Sequence, residues 1–327
     1  MKNKQKKRRK GWKYYWQRNR FYMITLLAFL ILSFASLHIL QNSLLENAQR
    51  TGASLARSFS VEEERSLSSY EALIRMGAGS LDRMVQETSN TEELQKWING
   101  FFEDIQNVTS GTVDPYAVLN GTFTGKGEWA QGQDYDYAST EWYQRAMEAE
   151  GKVIYTDLYE DAVYGRKVVT IAVKSGEDGN VLAFDIFPED FQVTDHQITL
   201  PEGSSYFLCD RQGTLLYART QLSVGREKMQ EYLDGIIERM EKGNLSRQDS
   251  YIIDLDGKKR NVYYSISETG WFSIVTVPRR TILGNLRRFT LGFSVMFLLF
   301  LGFSVLVSIR NSRLNRRVER TNDTVRV

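Results

Sequence analysis

The chain has 327 residues, 42% of them hydrophobic, and its 42 Lys and Arg nearly balance 40 Asp and Glu to leave a net charge of +2. Cys209 is the only cysteine and His38 and His196 are the only histidines, so an internal disulfide is impossible. A histidine-based zinc site, or a Ser-His or Cys-His catalytic pair, finds too few partners. The near-neutral total hides a division. Residues 1–20 carry ten Lys or Arg and no acid, residues 310–327 carry six Arg against Glu319 and Asp323, and Arg287 and Arg288 add two more, which leaves −14 for residues 42–286. The middle is acidic and both ends are basic.

Phe21 to Gln41 and Phe289 to Ile309 contain no charged residue, and about 20 apolar residues suffice to cross the hydrocarbon core. Each run lies beside a basic flank, so both termini are expected in the cytoplasm and the middle outside. Arg279, Arg280, Arg287 and Arg288 fall on the other side for that rule and are outnumbered by the terminal clusters. A cleaved signal peptide is the competing reading of the first run. Its apolar core is too long for one, and no small-x-small site follows His38-Ile-Leu-Gln41.

From Asn42 to about Gln86 there is no proline, and Leu44, Leu45, Ala48, Leu55, Ala56 and Phe59 recur at helical spacing. The pattern predicts a stalk helix roughly 65–70 Å long, continuing the first span, with Gly52, Gly77 and Gly79 as its weak points. Asn90 or Thr91 then caps a second helix with Glu92 and Glu93 in its first turn.

After Val108 short strands take over. Tyr116–Leu119 leads into an Asn120-Gly121 turn. Glu141 to Ala149 forms a short helix and Val153–Thr156 a strand, and Lys167–Val173 and Val181–Ile186 flank the hairpin loop Ser175–Asn180. A second unit follows. Ser205–Cys209 and Thr214–Tyr217 flank the turn Asp210-Arg-Gln-Gly213, and Lys228–Lys242 is an amphipathic helix. Ser250–Asp254, Arg260–Tyr264 and Trp271–Thr276 complete a sheet, and Pro278 closes the domain. The fold class is α+β: a long N-terminal helix and two tandem antiparallel-sheet modules, each a five-stranded sheet with helices on one face, flanked by two transmembrane helices.

This order of elements resembles the double Cache domain, a PAS-like extracytoplasmic sensor of bacterial transmembrane receptors. The matching pieces are Trp142-Tyr143, Thr156-Asp-Leu-Tyr159-Glu-Asp161, Phe184-Asp185-Ile186, Leu208-Cys-Asp210-Arg-Gln-Gly213 and Thr269-Gly270-Trp271. The resemblance divides the chain into a cytoplasmic N-terminus (1–20), a span (21–41), a sensor domain (42–285), a second span (289–309) and a cytoplasmic tail (310–327). Within the sensor domain it separates stalk and second helix (42–107), a membrane-distal module (108–198) and a membrane-proximal module (199–285).

In amino-acid-binding members of this family an Asp and tyrosine hydroxyls hold the ligand ammonium and an Arg holds its carboxylate. The resemblance carries those roles to Tyr135, Thr140, Trp142, Tyr143, Tyr159 and Asp185. Tyr155, which alternates with Val153 and Asp157 and can face either side of its strand, is a further candidate with less to support it. Thr140 stands where the family has Arg, and threonine cannot give a bidentate grip on a carboxylate. A carboxylate among aromatic rings suits a cation. The expected ligand is therefore an amine, or an α-amino acid if Arg145 or Arg166 replaces the missing arginine. Core packing is the plainer account of Trp142, and turn-capping that of Asp185. The second unit shows no comparable charged constellation and is expected to couple rather than bind.

No cofactor, metal, nucleic acid or catalytic role is expected. The membrane and a small molecule are the expected partners, with a homodimer formed through Leu44, Leu45 and Ala48, although that face can equally pack on its own sheets. Residues 310–327 look like the start of a helix leading to an output module, a histidine kinase or diguanylate cyclase, or to a partner protein. A structural membrane protein with a vestigial pocket is the remaining alternative.

Overall fold

The computed structural model describes residues 2–88, 90–125, 135–162, 165–176, 179–188, 198–245 and 250–325; Glu177 and Asp178 at the expected hairpin tip, and His196, lie outside them. The chain divides into two compact units, Met1–Ala48 with Ile282–Val327, and Gln49–Thr281.

The first unit belongs to the two long helices, α1 (Lys2–Glu87) and α5 (Arg279–Val325). Their stretches Ile24–Glu87 and Arg279–Val307 are long and apolar enough to cross a membrane. Phe29 stacks on Phe297 and Phe300 with ring centroids 6.0 and 5.6 Å apart. Leu45 is buried within its own chain.

In the second unit, Asn90 caps α2 (Thr91–Val108) by accepting a 3.0 Å bond from the Glu92 amide. The first sheet follows. It comprises β1 (Val113–Leu119), β2 (Thr122–Gly125), β3 (Ile154–Tyr155), β4 (Tyr159–Glu160), β5 (Lys167–Ser175) and β6 (Asn180–Ile186), in the order β2-β1-β6-β5-β3 with β4 also on β5. Asn120 and Gly121 both take positive φ, 48° and 76°, as a tight β1–β2 hairpin requires. The expected five strands become six, because β4 is a two-residue strand too short for any period to reveal.

The second sheet comprises β7 (Ser205–Cys209), β8 (Leu215–Arg219), β9 (Ile252–Ile253), β10 (Lys259–Ile266) and β11 (Phe272–Pro278), in the order β8-β7-β11-β10-β9. Matched by position, this is the order of the first sheet.

Helices cover both faces of each sheet, not one face as expected, since every central strand is apolar on both sides. On one face of the first sheet lies the short helix α3 (Glu141–Glu148), with Trp142 and Ala146 packed on Tyr116, Val118, Ala172, Val181 and Ala183. On the other, Phe101 of α2 stacks on Phe184, and the Ser175 hydroxyl donates to the Ala78 carbonyl of α1 at 2.8 Å. In the second sheet α4 (Arg226–Glu241) supplies Met229, Leu233, Ile236 and Met240 to one face. Phe59 of α1 stacks on Tyr206 of the other, 4.0 Å between centroids.

The glycines of α1 do not interrupt the helix. Gly52 and Gly77 instead allow close approach. A Cβ on Gly52 would lie 2.2 Å from the Tyr263 ring, and one on Gly77 would lie 2.3 Å from Phe101 and 2.7 Å from Leu182. At Gly79 a Cβ meets nothing within 4 Å. In an open helix Gly→Ala stabilises by about 1 kcal/mol, whereas overpacking costs about 1–3 kcal/mol. Thermal unfolding of the full chain in detergent is therefore expected to show Gly79→Ala raising the transition and Gly52→Ala lowering it.

Candidate ligand-binding site

Strand alternation puts Val181, Ala183 and Asp185 of β6 on the α3 face. The first two pack beneath α3, and Asp185 lies beyond them, paired across the strands with Asp114 of β1 and Thr170 of β5. Its carboxylate is buried at 4% exposure. Oδ1 accepts from the Thr170 hydroxyl at 2.5 Å and from the Tyr116 hydroxyl at 2.7 Å. Because Thr170 spends its proton on Asp185, the Tyr159 hydroxyl, 2.6 Å away, donates to Thr170. Among the described residues no hydrogen bond reaches Oδ2, and no cationic side chain pairs with Asp185.

Burial raises the Asp185 pKa to about 7; the two hydroxyl donors pull against that shift, and Asp114 and Asp161 add to it. Burial likewise pushes Tyr116 and Tyr159 well above their ordinary values, so both remain neutral donors.

Aromatic rings frame this carboxylate. Trp142, 1% exposed, stands edge-on to Tyr116 at 5.1 Å and donates its indole N–H to the Tyr135 hydroxyl at 3.4 Å. Tyr135 is edge-on to Phe123 at 4.9 Å. Tyr143 and Tyr137 fasten the α3 segment to the sheet by donating to the carbonyls of Gly179 and Gly121, at 3.0 and 2.8 Å.

Of the expected residues, the structure gathers Tyr135, Trp142, Tyr159 and Asp185 on one face. Trp142 is a core residue as well as a wall of the site. Tyr143 stands behind Trp142 as an anchor. Thr140 precedes α3, and its hydroxyl is used on the Tyr137 carbonyl at 2.6 Å. Tyr155 does not join the group: its neighbour Ile154 faces α3, and alternation turns Tyr155 to the opposite side, where its hydroxyl meets Glu71 of α1 at 3.1 Å.

Tyr116 and Thr170, outside the expected set, complete the network. Nothing in their own strands, Val113–Leu119 and Lys167–Ser175, marks them out. Arg145 is bound to Glu141 at 2.8 Å. Arg166 stacks on Phe187, 3.7 Å from the ring centroid, one residue past the end of β6. Open grooves of about 480 Å³ (Met84, Trp97, Phe101) and about 230 Å³ (Arg75, Asp82, Ser175) lie apart from this group.

The second sheet does hold a buried ionic pair, contrary to the expectation of no charged constellation there. Arg260 meets Asp254, with 5% and 0% side-chain exposure, and donates to the Gly203 carbonyl. Its carboxylate is matched from within the chain, unlike that of Asp185. Sequence could not pair them because both lie in turn-flanking positions that read as solvated.

Asp185 has a higher pKa folded than the 3.8 of an unfolded carboxyl. Its contribution to stability is therefore full below about pH 4 and is lost as pH rises through 7. Asp185→Asn removes that dependence. Between pH 4 and pH 8 the variant is expected to gain on wild type by up to about 4 kcal/mol, measured as paired thermal unfolding curves at the two pH values.

The sequence profile described as Cache domain matches residues 36–286. The methyl-accepting chemotaxis protein McpC of Bacillus subtilis is 25% identical over 259 residues, which is 76% of this chain and 37% of McpC, so this chain spans little more than a third of that relative's length. Among solved structures, the ligand-binding domain of the Campylobacter jejuni chemoreceptor Tlp3 in complex with L-valine superposes with a TM-score of 0.53 at 19% identity, covering 74% of this chain and 97% of that one. The ligand-binding domain of the Pseudomonas aeruginosa PAO1 amino acid chemoreceptor PctB, in complex with L-Arg, gives a TM-score of 0.52 at 17% identity, covering 72% and 96%. Both likenesses establish the fold.

Proposed function

From the premise that this chain belongs to the Cache domain family, we propose that it is the input module of a membrane receptor that binds a small molecule carrying a primary ammonium group at Asp185. The carrying observation is a buried carboxylate that, among the described residues, only hydroxyls approach, with one oxygen left over. An ammonium completes that site: it supplies the missing charge and three donors, and the rings of Tyr135, Tyr159 and Trp142 favour a cation further. The sensor unit faces the outside, both termini lie in the cytoplasm, and the basic flanks of the two spans support that orientation. A homodimer, and a cytoplasmic output module or partner protein, belong to the same proposal.

Simple amines are the first ligand class, because Thr140 offers no grip on a carboxylate. α-Amino acids are the second, favoured by Arg166 on Phe187 and by the amino acids named for the Tlp3 and PctB domains. A signal requires the ligand to bind two arrangements of the protein unequally.

The test is calorimetry on the full chain in lipid nanodiscs with ethanolamine, putrescine, the L-amino acids, and neutral and anionic counterparts of each. Ammonium-bearing compounds are expected to bind, Asp185→Ala to abolish binding, and a saturating ligand at 100 times its Kd to add about 2.7 kcal/mol to stability. Because the ammonium needs the ionised carboxyl, affinity is expected to weaken about tenfold per pH unit below pH 7. Binding confined to neutral or anionic compounds, or unaltered by Asp185→Ala, sinks the reading.

A further inference from the structure

The segment from Ile154 to Tyr159 touches the Asp185 network, the stalk helix and the second sheet within six residues. On the site side, Tyr159 donates to Thr170 at 2.6 Å. Thr156 is bonded twice to the same residue: its amide donates to the Thr170 carbonyl, and its hydroxyl accepts from the Thr170 amide, both at 2.9 Å. Thr170 is thus held by this segment on its backbone and side chain while it holds Asp185.

On the other side, the segment is gripped by the turn between β7 and β8. Asp210, fully buried, accepts the Leu158 amide on Oδ2 at 3.0 Å, and on Oδ1 the amides of Gln212 and Thr214 at 3.0 and 2.8 Å. One carboxylate therefore closes its own turn and binds a loop from the other sheet. Arg211 donates from Nε to Asp157 at 2.9 Å and from Nη2 to the Tyr155 carbonyl at 3.2 Å, and Gln212 reaches Asp157 at 3.3 Å.

Space for this grip is built in. Gly270 sits at φ +86°, and a Cβ there would come 2.8 Å from Arg211 Cγ. Tyr155 adds a third contact: its hydroxyl donates to Glu71 and its ring stands edge-on to Trp271 of the second sheet, 6.5 Å between centroids. The turn Asp210–Gly213 and the Gly270-Trp271 pair stand out in the sequence, and binding at the Asp185 site uses neither.

We propose that residues 154–159 are the coupling element of this receptor, and that Asp210 and Arg211 are the positioning residues through which a change at Asp185 reaches the second sheet. The proposal rests on Asp185 being the ligand site. A ligand that engages Asp185 at Oδ2 draws on the same carboxylate that Thr170 holds through Oδ1, and Thr170 cannot shift without moving Thr156 and Tyr159. The adjoining peptide, Asp157-Leu158, is the part held by Asp210 and Arg211. The path is short because both ends of it bond to residues 155–159, which follow one another in the chain.

Hydrogen exchange on the full chain in nanodiscs, with no ligand present, tests the coupling apart from the ligand reading. Tyr159→Phe perturbs the network while keeping the ring, and Thr170→Val is the second perturbation. Each is examined alone and combined with the surface change Arg211→Ala. Loss of one hydrogen bond is worth about 1 kcal/mol, about fivefold in exchange. The expected result is about that increase in peptides covering 154–160 and also 207–215, with the second increase disappearing when Arg211→Ala is present. Unchanged exchange in 207–215 after both perturbations, or an increase equally large with Arg211→Ala, overturns the proposal. Loss of ammonium binding in calorimetry would instead overturn the ligand reading and leave this result standing.

Discussion

One helix supports both sheets. The part of α1 after Gln49 presents Phe59 to Tyr206, Gly52 to Tyr263, Gly77 to Phe101 and Leu182, and the Ala78 carbonyl to Ser175. Each sheet is apolar on both faces, so neither is stable until that second face is covered. Close contact demands glycine where a ring crosses the helix, and those glycines sit in the helix interior at an intrinsic cost of about 1 kcal/mol each. Burial of Tyr263, Phe101 and Leu182 offsets that cost.

The two modules repeat one topology and use it differently. In the first, α3 has only eight residues and covers the sheet as far as Trp142 and Ala146. Beyond it the sheet ends in hydroxyls and a carboxylate. In the second, the sixteen residues of α4 lay Met229, Leu233, Ile236 and Met240 across the equivalent face. Asp254 there meets Arg260 of its own chain. Asp185 meets hydroxyls alone among the described residues, and burial drives its proton affinity up.

Legibility in the sequence followed the range of the interaction. Asn90 as a cap, Asn120-Gly121 as a hairpin and Asp210 as a turn-former act on residues two to four positions away, and all three stand where expected. Tyr116 and Thr170 were not readable as site residues, because the bonds that matter to them come from strands 69 and 15 residues off. Tyr155 turned on strand parity, since one residue of register moves a side chain to the other face. Gly52 looked like a weak point of α1 because its partner, Tyr263, lies more than two hundred residues away.

By itself the sequence determined the two runs long and apolar enough to cross a membrane, the α+β alternation, the tandem of two modules and the family, since each depends on local composition, period or the order of short motifs. Asp185, Tyr159 and Tyr135 were named from the motif positions they occupy, and the structure brings them to one face of the first sheet. Tertiary structure alone decided that Asp185 is held by Tyr116 and Thr170, that Tyr155 serves the stalk and not the site, and that helices cover both faces of each sheet. The reason is physical: period and propensity act along the chain, whereas desolvation and hydrogen bonding act across whatever the fold brings within 3 Å.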